Sequence, residues 1–288
     1  MDRHGQVVAL LDATGIFFEP ARTAFPGADE AAWERAGRLD PGAAGPDGSW
    51  ALAFRCFAVA RPGGRWLLVD AGVGPAQSPA AAWAPVPGRL PDALAAAGIA
   101  PADVEAVVLT HLHEDHAGWA SGIDGEPFFP AARYIVQRAE VAALDRADPV
   151  WDWTVAPLRA SGRLHEVDGV HRPAPGITLL PTPGHTPGHQ SVLVDQGAGA
   201  RDVVVTGDVL VHAVQLGDPA VPYSHERDRR TARASREDLL ALARRRGALL
   251  ATAHLTRAFV EPPAETTPAG APEGGRRPGR LRWHQPMV

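Results

Sequence analysis

Short apolar runs, each followed by a histidine or an aspartate, recur along the second half of the chain and just before it. Aliphatic runs between turn signals are typical of strands that are buried on both faces in an α/β protein. A polar side chain at the exit of each strand predicts a site built by loops at one edge of the sheet. The four runs are 104–110, which leads into His111; 179–180, followed by a Pro/Gly turn to His185; 203–205, before Asp208; and 249–253, which ends at His254.

The remaining pattern predicts a hairpin and several short helices around these strands. Residues 51–60 and 65–70 are expected to pair across the Pro-Gly-Gly turn at 62–64. The strongest helix pattern runs from Ser235 to Arg245, with Ser235 as its N-cap, acidic residues in its first turn and Gly247 at its end. We also expect helices over 29–36, 91–97 and 137–144, a strand over 133–136, a strand over 248–253, and a helical insertion over 148–160 whose Trp151 and Trp153 lie in the core.

The two ends of the chain differ in composition from its middle. Residues 1 to about 48 are rich in Gly, Pro and Asp, and we expect an N-terminal extension that lies over the site. Residues from about 262 to 279 are rich in Pro, Gly, Ala and Thr, which predicts a flexible segment before an edge strand at 281–284. Residues 1–288 are therefore expected to form a single domain with these two additions.

Composition and charge narrow the classes of function. A chain of 288 residues with 45% hydrophobic residues can bury the core of one enzyme-sized domain. The formal net charge of -5 gives no basic footprint for nucleic acid or an anionic membrane. The single cysteine, Cys56, lies in an apolar run and is expected in the core. Because the first residues lead to no long apolar stretch, we expect no signal peptide, no membrane span and a cytoplasmic location.

The segment 111–116, His-Leu-His-Glu-Asp-His, carries the most specific chemistry in the chain. Imidazole nitrogen and carboxylate oxygen are the ligands that a borderline-soft cation such as zinc prefers. In an extended segment His111 and His113 point to one side, whereas a turn after them directs Asp115 and His116 toward a second point. One short loop can therefore serve two neighbouring metal ions.

The order of the motifs resembles the metallo-β-lactamase superfamily over residues 52 to 258. The pattern consists of HxHxDH at 111–116, TPGHTPGH at 182–189, TGD at 206–208 and AHL at 253–255. The resemblance implies an α/β fold, the αββα four-layer sandwich of that superfamily, and a supporting role for Asp70 beside a metal-binding histidine. The implied ligands are His111, His113 and His185 for a first metal ion and Asp115, His116 and His254 for a second, with Asp208 bridging the two.

The chemistry that this ligand set implies is metal-assisted hydrolysis at a dinuclear centre. Two divalent ions, for which zinc is the first choice, share a water and lower its pKa toward about 7, so that a bridging hydroxide attacks a carbonyl or phosphoryl centre. Asp115 is the expected catalytic residue because it can take up a proton or pass it on. The expected partner is a small-molecule substrate, without nucleic acid or a membrane. A homodimer, the native metal and the physiological substrate stay open.

Residues 209–216 and 253–255 look most like the branch that holds N-acyl homoserine lactonases and methyl parathion hydrolases, which act on lactones, esters and phosphotriesters. Several lactonases of this branch keep a tyrosine three residues after the bridging aspartate, and here that position is Val211. Tyr223 on the following loop is either its substitute or a solvent-facing residue.

Two alternatives share the HxHxDH motif. A mononuclear iron persulfide dioxygenase would hold one metal ion and bind a thiol, and metal analysis separates it from a dinuclear hydrolase. An RNA-processing nuclease is disfavoured by the acidic balance and by the lack of a basic tract with interleaved aromatic residues.

The other histidines are expected outside the ligand set. His189 shares the Pro-Gly-His context of His185, and we expect it to donate a hydrogen bond within the turn. His212 either lines the pocket or supports the metal ions, or it is a plain structural histidine. Those without a partner motif are expected to be exposed: His4, His165, His171, His225 and His284.

Overall fold

Two mixed β-sheets face each other in the computed structural model, which describes residues 2–45 and 48–264. Over these residues the first sheet has seven strands in chain order: β1 (Arg3–His4), β2 (Val7–Ile16), β3 (Ala51–Ala60), β4 (Trp66–Val69), β5 (Val104–Val108), β6 (Arg133–Gln137) and β7 (Leu164–Val167). The second sheet has six, in the spatial order β13 (Phe259–Val260), β12 (Leu249–Ala251), β11 (Val203–Val205), β10 (Gln190–Val194), β9 (Ile177–Pro181) and β8 (His171–Ala174).

Strand direction brings the predicted ligand loops to one side of the molecule. Strands β4 to β7 are parallel to one another, and β11 is parallel to β12. Strand β9 runs in the same direction as β11 because both pair antiparallel with β10. The carboxyl ends of β4 and β5 therefore lie at one edge of the first sheet, and those of β9, β11 and β12 lie at one edge of the second. Loops at carboxyl strand ends are where α/β sheets build their sites.

The inner faces of the two sheets share an aliphatic core. Leu67 and Val108 from the first sheet pack in it with Leu179 and Val205 from the second. Val107 belongs instead to the core between the first sheet and its helices. Strand β5 is thus covered on both faces, which explains why its sequence is a continuous apolar run rather than an alternating one.

Helices cover the outer face of each sheet and complete the predicted αββα sandwich. The first sheet is covered by α3, α5 and α6, and by a π-helical turn at Trp151–Val155. The second sheet is covered by α2, α7 and α8. The helices are α1 (Ala21–Ala24), α2 (Glu30–Leu39), α3 (Leu90–Ala96), α4 (Glu114–Ala117), α5 (Arg138–Ala143), α6 (Ala156–Ala160), α7 (Ala213–Gly217) and α8 (Arg229–Arg246).

Two features differ from the sequence prediction. Strand β2 lies inside the region predicted as an N-terminal extension and pairs along β3, so only the residues after it extend over the site. Helix α8 begins at Arg229, not at Ser235, because the Asp228 side chain accepts hydrogen bonds from the backbone of its first turn. Ser235 is buried within the helix, and its hydroxyl donates to the carbonyl of Pro183 at 2.6 Å.

The other predicted elements agree with the structure within a few residues. The hairpin of β3 and β4 is antiparallel, Gly247 ends α8 with a left-handed φ of 61°, and Cys56 is buried in β3. None of the described helices combines the length and the apolar composition that a transmembrane span needs. The flexible segment predicted at 262–279 lies almost entirely, and the edge strand at 281–284 entirely, outside the described residues, and the single domain over 1–288 stays a prediction.

Candidate metal centre

The first group of predicted ligands meets between the two sheet edges. Strand β5 delivers His111 and His113, and the loop after β9 delivers His185. The Nδ1 atom of His113 lies 3.0 Å from Nε2 of His111 and 3.0 Å from Nε2 of His185. Asp208, which follows β11, places Oδ2 at 3.3 Å from Nε2 of His185 and 3.9 Å from Nε2 of His111. Four donor atoms thus surround one point.

The second group lies on the other side of the same carboxylate. Helix α4 provides the predicted turn and carries Asp115 and His116. Nε2 of His116 lies 3.2 Å from Nε2 of His254, and Oδ2 of Asp115 lies 3.5 Å from each of these nitrogens. Oδ1 of Asp208 is 3.2 Å from His116 and 3.1 Å from His254. The two oxygens of Asp208 therefore face different groups.

The spacing of the donor atoms fits two tetrahedral metal ions. Ligands at 2.0–2.1 Å from a tetrahedral zinc ion are about 3.3 Å apart. The donor pairs named above are 3.0–3.9 Å apart in the first group and 3.1–3.5 Å apart in the second. All seven predicted ligand residues are brought together, and each of them except His113 is buried.

Burial and charge prepare these side chains for a cation. Burial, together with the neighbouring imidazoles, holds the pKa of His111 and that of His185 below the usual histidine value, which leaves their nitrogens free as ligands. Burial also opposes charge on His116 and His254, but the nearby carboxylates outweigh it and raise both pKa values. Burial likewise opposes ionisation of Asp208, yet His254 and His116 lower its pKa well below the usual value. A buried carboxylate held ionised between two groups of imidazoles requires positive charge beside it.

Hydrogen bonds to the far side of the imidazoles fix which nitrogen faces the centre. Asp70 accepts from the backbone N–H and the hydroxyl of Thr110 at 2.7 and 3.0 Å, and its Oδ2 lies 2.9 Å from Nδ1 of His116. Nδ1 of His254 donates to the carbonyl of Ala53 at 2.9 Å. Because Nδ1 of each ring is engaged in this way, Nε2 is the nitrogen that faces the centre. The geometry places Asp70 in its expected supporting role.

His189 lies outside both groups of donors but is not confined to its own turn. Its Nδ1 pairs with the hydroxyl of Thr182 at 2.8 Å, as expected within the turn, while its Nε2 accepts from the backbone N–H of Asp208 at 2.9 Å. Burial lowers the pKa of His189 to about 3, so the ring is neutral and able to accept. His189 thus anchors the peptide that carries the bridging residue. The sequence gives no indication of this contact because the partners are 19 residues apart.

A cavity of about 230 Å³ opens beside the two donor groups. Aromatic side chains form part of its wall. Two of them, Phe17 and Phe18, come from the segment after β2, which therefore reaches the site as predicted. Three carboxylates line it, from Glu114, Asp115 and Asp208, and no arginine is present among the described lining residues. The wall residues missed by sequence reasoning are Phe17, Phe18, Trp50, Leu52, Trp83 and His225.

The structure gives the surroundings of Tyr223, His225 and His212, whose roles the sequence did not determine. Tyr223 is only 5% exposed and stacks on His185 with ring centroids 6.0 Å apart, so the solvent-facing alternative is wrong. His225 is exposed, as predicted, but it also lines the cavity and pairs with Glu19 at 2.6 Å, a partner that the sequence did not indicate. His212 is buried against Phe25 and caps α7 through the backbone N–H of Val214, which is a structural role.

The remaining predicted surface histidines divide into two groups. His165 is exposed, as predicted, whereas His4 and His171 are half-buried. His284 lies outside the described residues.

The sequence matches a known protein family and several of its curated members. The model of the Metallo-beta-lactamase superfamily matches residues 55–254. An N-acyl homoserine lactonase of Bacillus sp is 36% identical over 107 residues, which is 37% of this chain and 39% of that protein. The lactonase AttM of Azorhizobium caulinodans is 33% identical over 175 residues, 55% of this chain and 61% of that protein. The chain thus matches about two fifths of the length of the first curated relatives.

Two solved structures have the same fold. The hydrolase AbOPH of the beta lactamase superfamily superposes with a TM-score of 0.74 and 25% identity, and the match covers 90% of this chain and 91% of that one. The dizinc quorum-quenching lactonase AidC, in complex with the product N-hexnoyl-L-homoserine, gives a TM-score of 0.71 with 20% identity, covering 96% and 97%.

Proposed function

Because the chain belongs to the metallo-beta-lactamase superfamily, we propose that it is a hydrolase whose seven ligand residues hold two divalent metal ions, with zinc as the first choice. The position of Asp208 carries this proposal, since its two oxygens face separate groups of imidazoles. When bound, such a pair of ions supplies an acidified water and polarises the substrate oxygen. His111, His113 and His185 are assigned to one ion, and Asp115, His116 and His254 to the other.

The residues that line the cavity favour a neutral, partly apolar substrate. Three carboxylates line the cavity, and its described lining contains no arginine or lysine to pair with an anionic group. Aromatic rings from Phe17, Trp50 and Trp83 pack against one another and form an apolar part of the cavity wall. A small ester, lactone or phosphotriester meets both requirements. The relatives named as N-acyl homoserine lactonases favour the lactone among these.

Two residues of the cavity are assigned to the reaction. Asp115 lies on the second donor group and lines the cavity, so its carboxylate can take up the proton of the attacking water or deliver one to the leaving oxygen. Burial, reinforced by the charges of Asp208 and Asp115, raises the pKa of Tyr223. Its phenol therefore stays protonated at neutral pH and can donate a hydrogen bond to a substrate oxygen.

Purified protein should carry close to two equivalents of zinc, manganese or iron, because two donor groups share one carboxylate. Elemental analysis of protein from metal-supplemented cultures measures this number. A single equivalent that added metal does not raise, with full activity, would contradict the two-metal assignment and favour the mononuclear alternative.

A hydrolysis screen tests the substrate class directly. We expect turnover of lactones, aryl esters or phosphotriesters, and much slower turnover of β-lactams, whose carboxylate finds no arginine or lysine among the described residues of the cavity wall. Equal turnover of a β-lactam would show that the charge of the cavity wall does not select the substrate.

Replacing Tyr223 with Phe should lower kcat/KM by about 100-fold, the lower end for loss of one hydrogen-bond donor to the reacting oxygen. Metal content should stay unchanged because Tyr223 belongs to neither donor group. Tyr134→Phe is the matched control. Tyr134 is the other tyrosine of the chain, is buried behind the first sheet and contacts the backbone of Phe129. If both variants keep wild-type kinetics, Tyr223 only packs against His185.

A further inference from the structure

Glu140 is a buried carboxylate that joins two loops of the candidate metal centre. It lies in the first turn of α5 and is 5% exposed. Its Oε1 accepts from the backbone N–H of Leu112 at 3.0 Å. Its Oε2 accepts from the hydroxyl of Thr186 at 2.7 Å and from the backbone N–H of Gly188 at 2.9 Å. One side chain thus holds the loop after β5 to the loop after β9.

Two of the residues that Glu140 contacts are direct neighbours in the chain of residues in the first donor group. Leu112 lies between His111 and His113, and Thr186 directly follows His185. Helix α5 is packed on the first sheet, whereas the loop that carries Thr186 leaves the second sheet. The carboxylate therefore connects the two sheets at the point where the three imidazoles of the first group must converge.

The loop approaches the helix so closely that the contact is built into the fold. A Cβ atom at Gly188 would lie 2.1 Å from the backbone nitrogen of Glu140. Backbone atoms cannot move aside as a flexible side chain can, so only glycine fits there. The loop after β9 is consequently held at a fixed distance from the start of α5.

The partners of Glu140 are hydrogen-bond donors without a charge. Across the described residues, no arginine or histidine forms an ion pair with it. Burying a carboxylate without a cation is costly, and three hydrogen bonds offset this cost only while both loops keep their positions. The charge of the Glu140 carboxylate therefore favours this one arrangement of the two loops more strongly than an apolar contact would.

The second donor group has its own supports. His116 is oriented by Asp70 and His254 by the carbonyl of Ala53, and neither of these contacts involves Glu140. Loss of the Glu140 carboxylate should therefore disturb one group of ligands and leave the other in place.

We propose that Glu140 is a positioning residue for the first metal ion and sets the spacing of His111, His113 and His185. This inference rests on the two-metal centre proposed above. It assigns a role to a residue that belongs to neither donor group and does not line the cavity.

Zinc affinity in variants that keep a single site tests the inference. His254→Ala leaves the first donor group complete, and His185→Ala leaves the second. Glu140→Gln is added to each background, and the metal-free proteins are titrated with zinc against a competing chelator. We expect Glu140→Gln to weaken zinc binding by roughly 10-fold or more in the His254→Ala background, as for other groups that orient ligands. In the His185→Ala background the affinity should change by less than about twofold.

Val141→Ala is the matched control, because Val141 is the next residue of α5 and is buried in the core behind the first sheet. It should lower the melting temperature without changing zinc affinity in either background. If Glu140→Gln does not fold, Thr186→Val removes one of the three hydrogen bonds and should weaken the first site selectively by a smaller factor. Equal loss of affinity in the two backgrounds, or none in either, overturns the inference. Wild-type protein that binds no zinc overturns the proposed function as well.

Discussion

Replacing His185 with Ala is expected to abolish turnover and to remove about one equivalent of metal per chain. Nε2 of His185 lies 3.0 Å from Nδ1 of His113 and 3.3 Å from Oδ2 of Asp208, so it completes the first donor group. Without it, two imidazoles and one carboxylate oxygen remain there, fewer than the four ligands of a closed zinc site. Elemental analysis and initial rates measured on the same preparation check both parts of this result.

His189→Ala is the matched comparison, since His189 has the same Pro-Gly-His context in the sequence. The variant should keep both metal ions, because His189 belongs to neither donor group. It leaves the backbone N–H of Asp208 buried without its acceptor, which costs about 1–3 kcal/mol of stability. We expect a partial loss of activity, roughly 10- to 100-fold, through misplacement of Asp208. Equal loss of metal in the two variants would show that His189 is itself a ligand.

The grouping of the seven donor residues could be predicted from the sequence because their geometry is mostly local. The six residues 111–116 leave a buried strand and turn within one short helix, so their spacing along the chain fixes two directions. His185, Asp208 and His254 each follow a strand whose direction places its carboxyl end at the same side of the sandwich. A strand pattern and a motif are sufficient for such a site.

Strand β2 and the start of α8 could not be predicted in the same way, because tertiary contacts determine both. Asp12 interrupts the apolar run of β2 at a bulge, and its carboxylate accepts from the backbone N–H groups of Val73 and Leu90. Ser235, a good N-cap by type, is buried in α8, and Asp228 caps the helix seven residues earlier. Local propensity gave the presence of the helix but not its first residue.

The cavity wall lies furthest from what the sequence can show. Phe17, Trp50, Trp83 and Tyr223 come from four separate parts of the chain that only the tertiary fold brings together. His225 pairs with Glu19 across 206 residues. No periodicity or motif connects such positions, so the composition of the cavity wall could not be predicted from the sequence, whereas the residues of the two donor groups could.

Asp208→Asn is expected to lower activity at neutral pH by orders of magnitude and to weaken binding of the second metal ion. Asp208 is buried, and its two oxygens lie within 3.3 Å of His185 on one side and of both His116 and His254 on the other. Its negative charge offsets the repulsion between two dications, and its two oxygens fix their spacing. Asparagine keeps the shape of the side chain but removes the charge and one of the two acceptor oxygens. Zinc titration of the metal-free variant, with rates measured at neutral and alkaline pH, tests both effects.

Asp12→Asn is the matched control for the loss of a buried carboxylate. Asp12 is 1% exposed and hydrogen-bonds to backbone groups outside both donor groups, so this variant should keep two metal ions even if its stability falls. Activity of Asp208→Asn should recover in part with excess metal and in alkaline buffer, because mass action refills the weakened site and free hydroxide is more abundant. The Asp12 variant should show no such recovery, since its metal ions are not lost. Wild-type activity and an unchanged pH profile in Asp208→Asn would mean that Asp208 only ends strand β11, and that the two donor groups do not act as one centre.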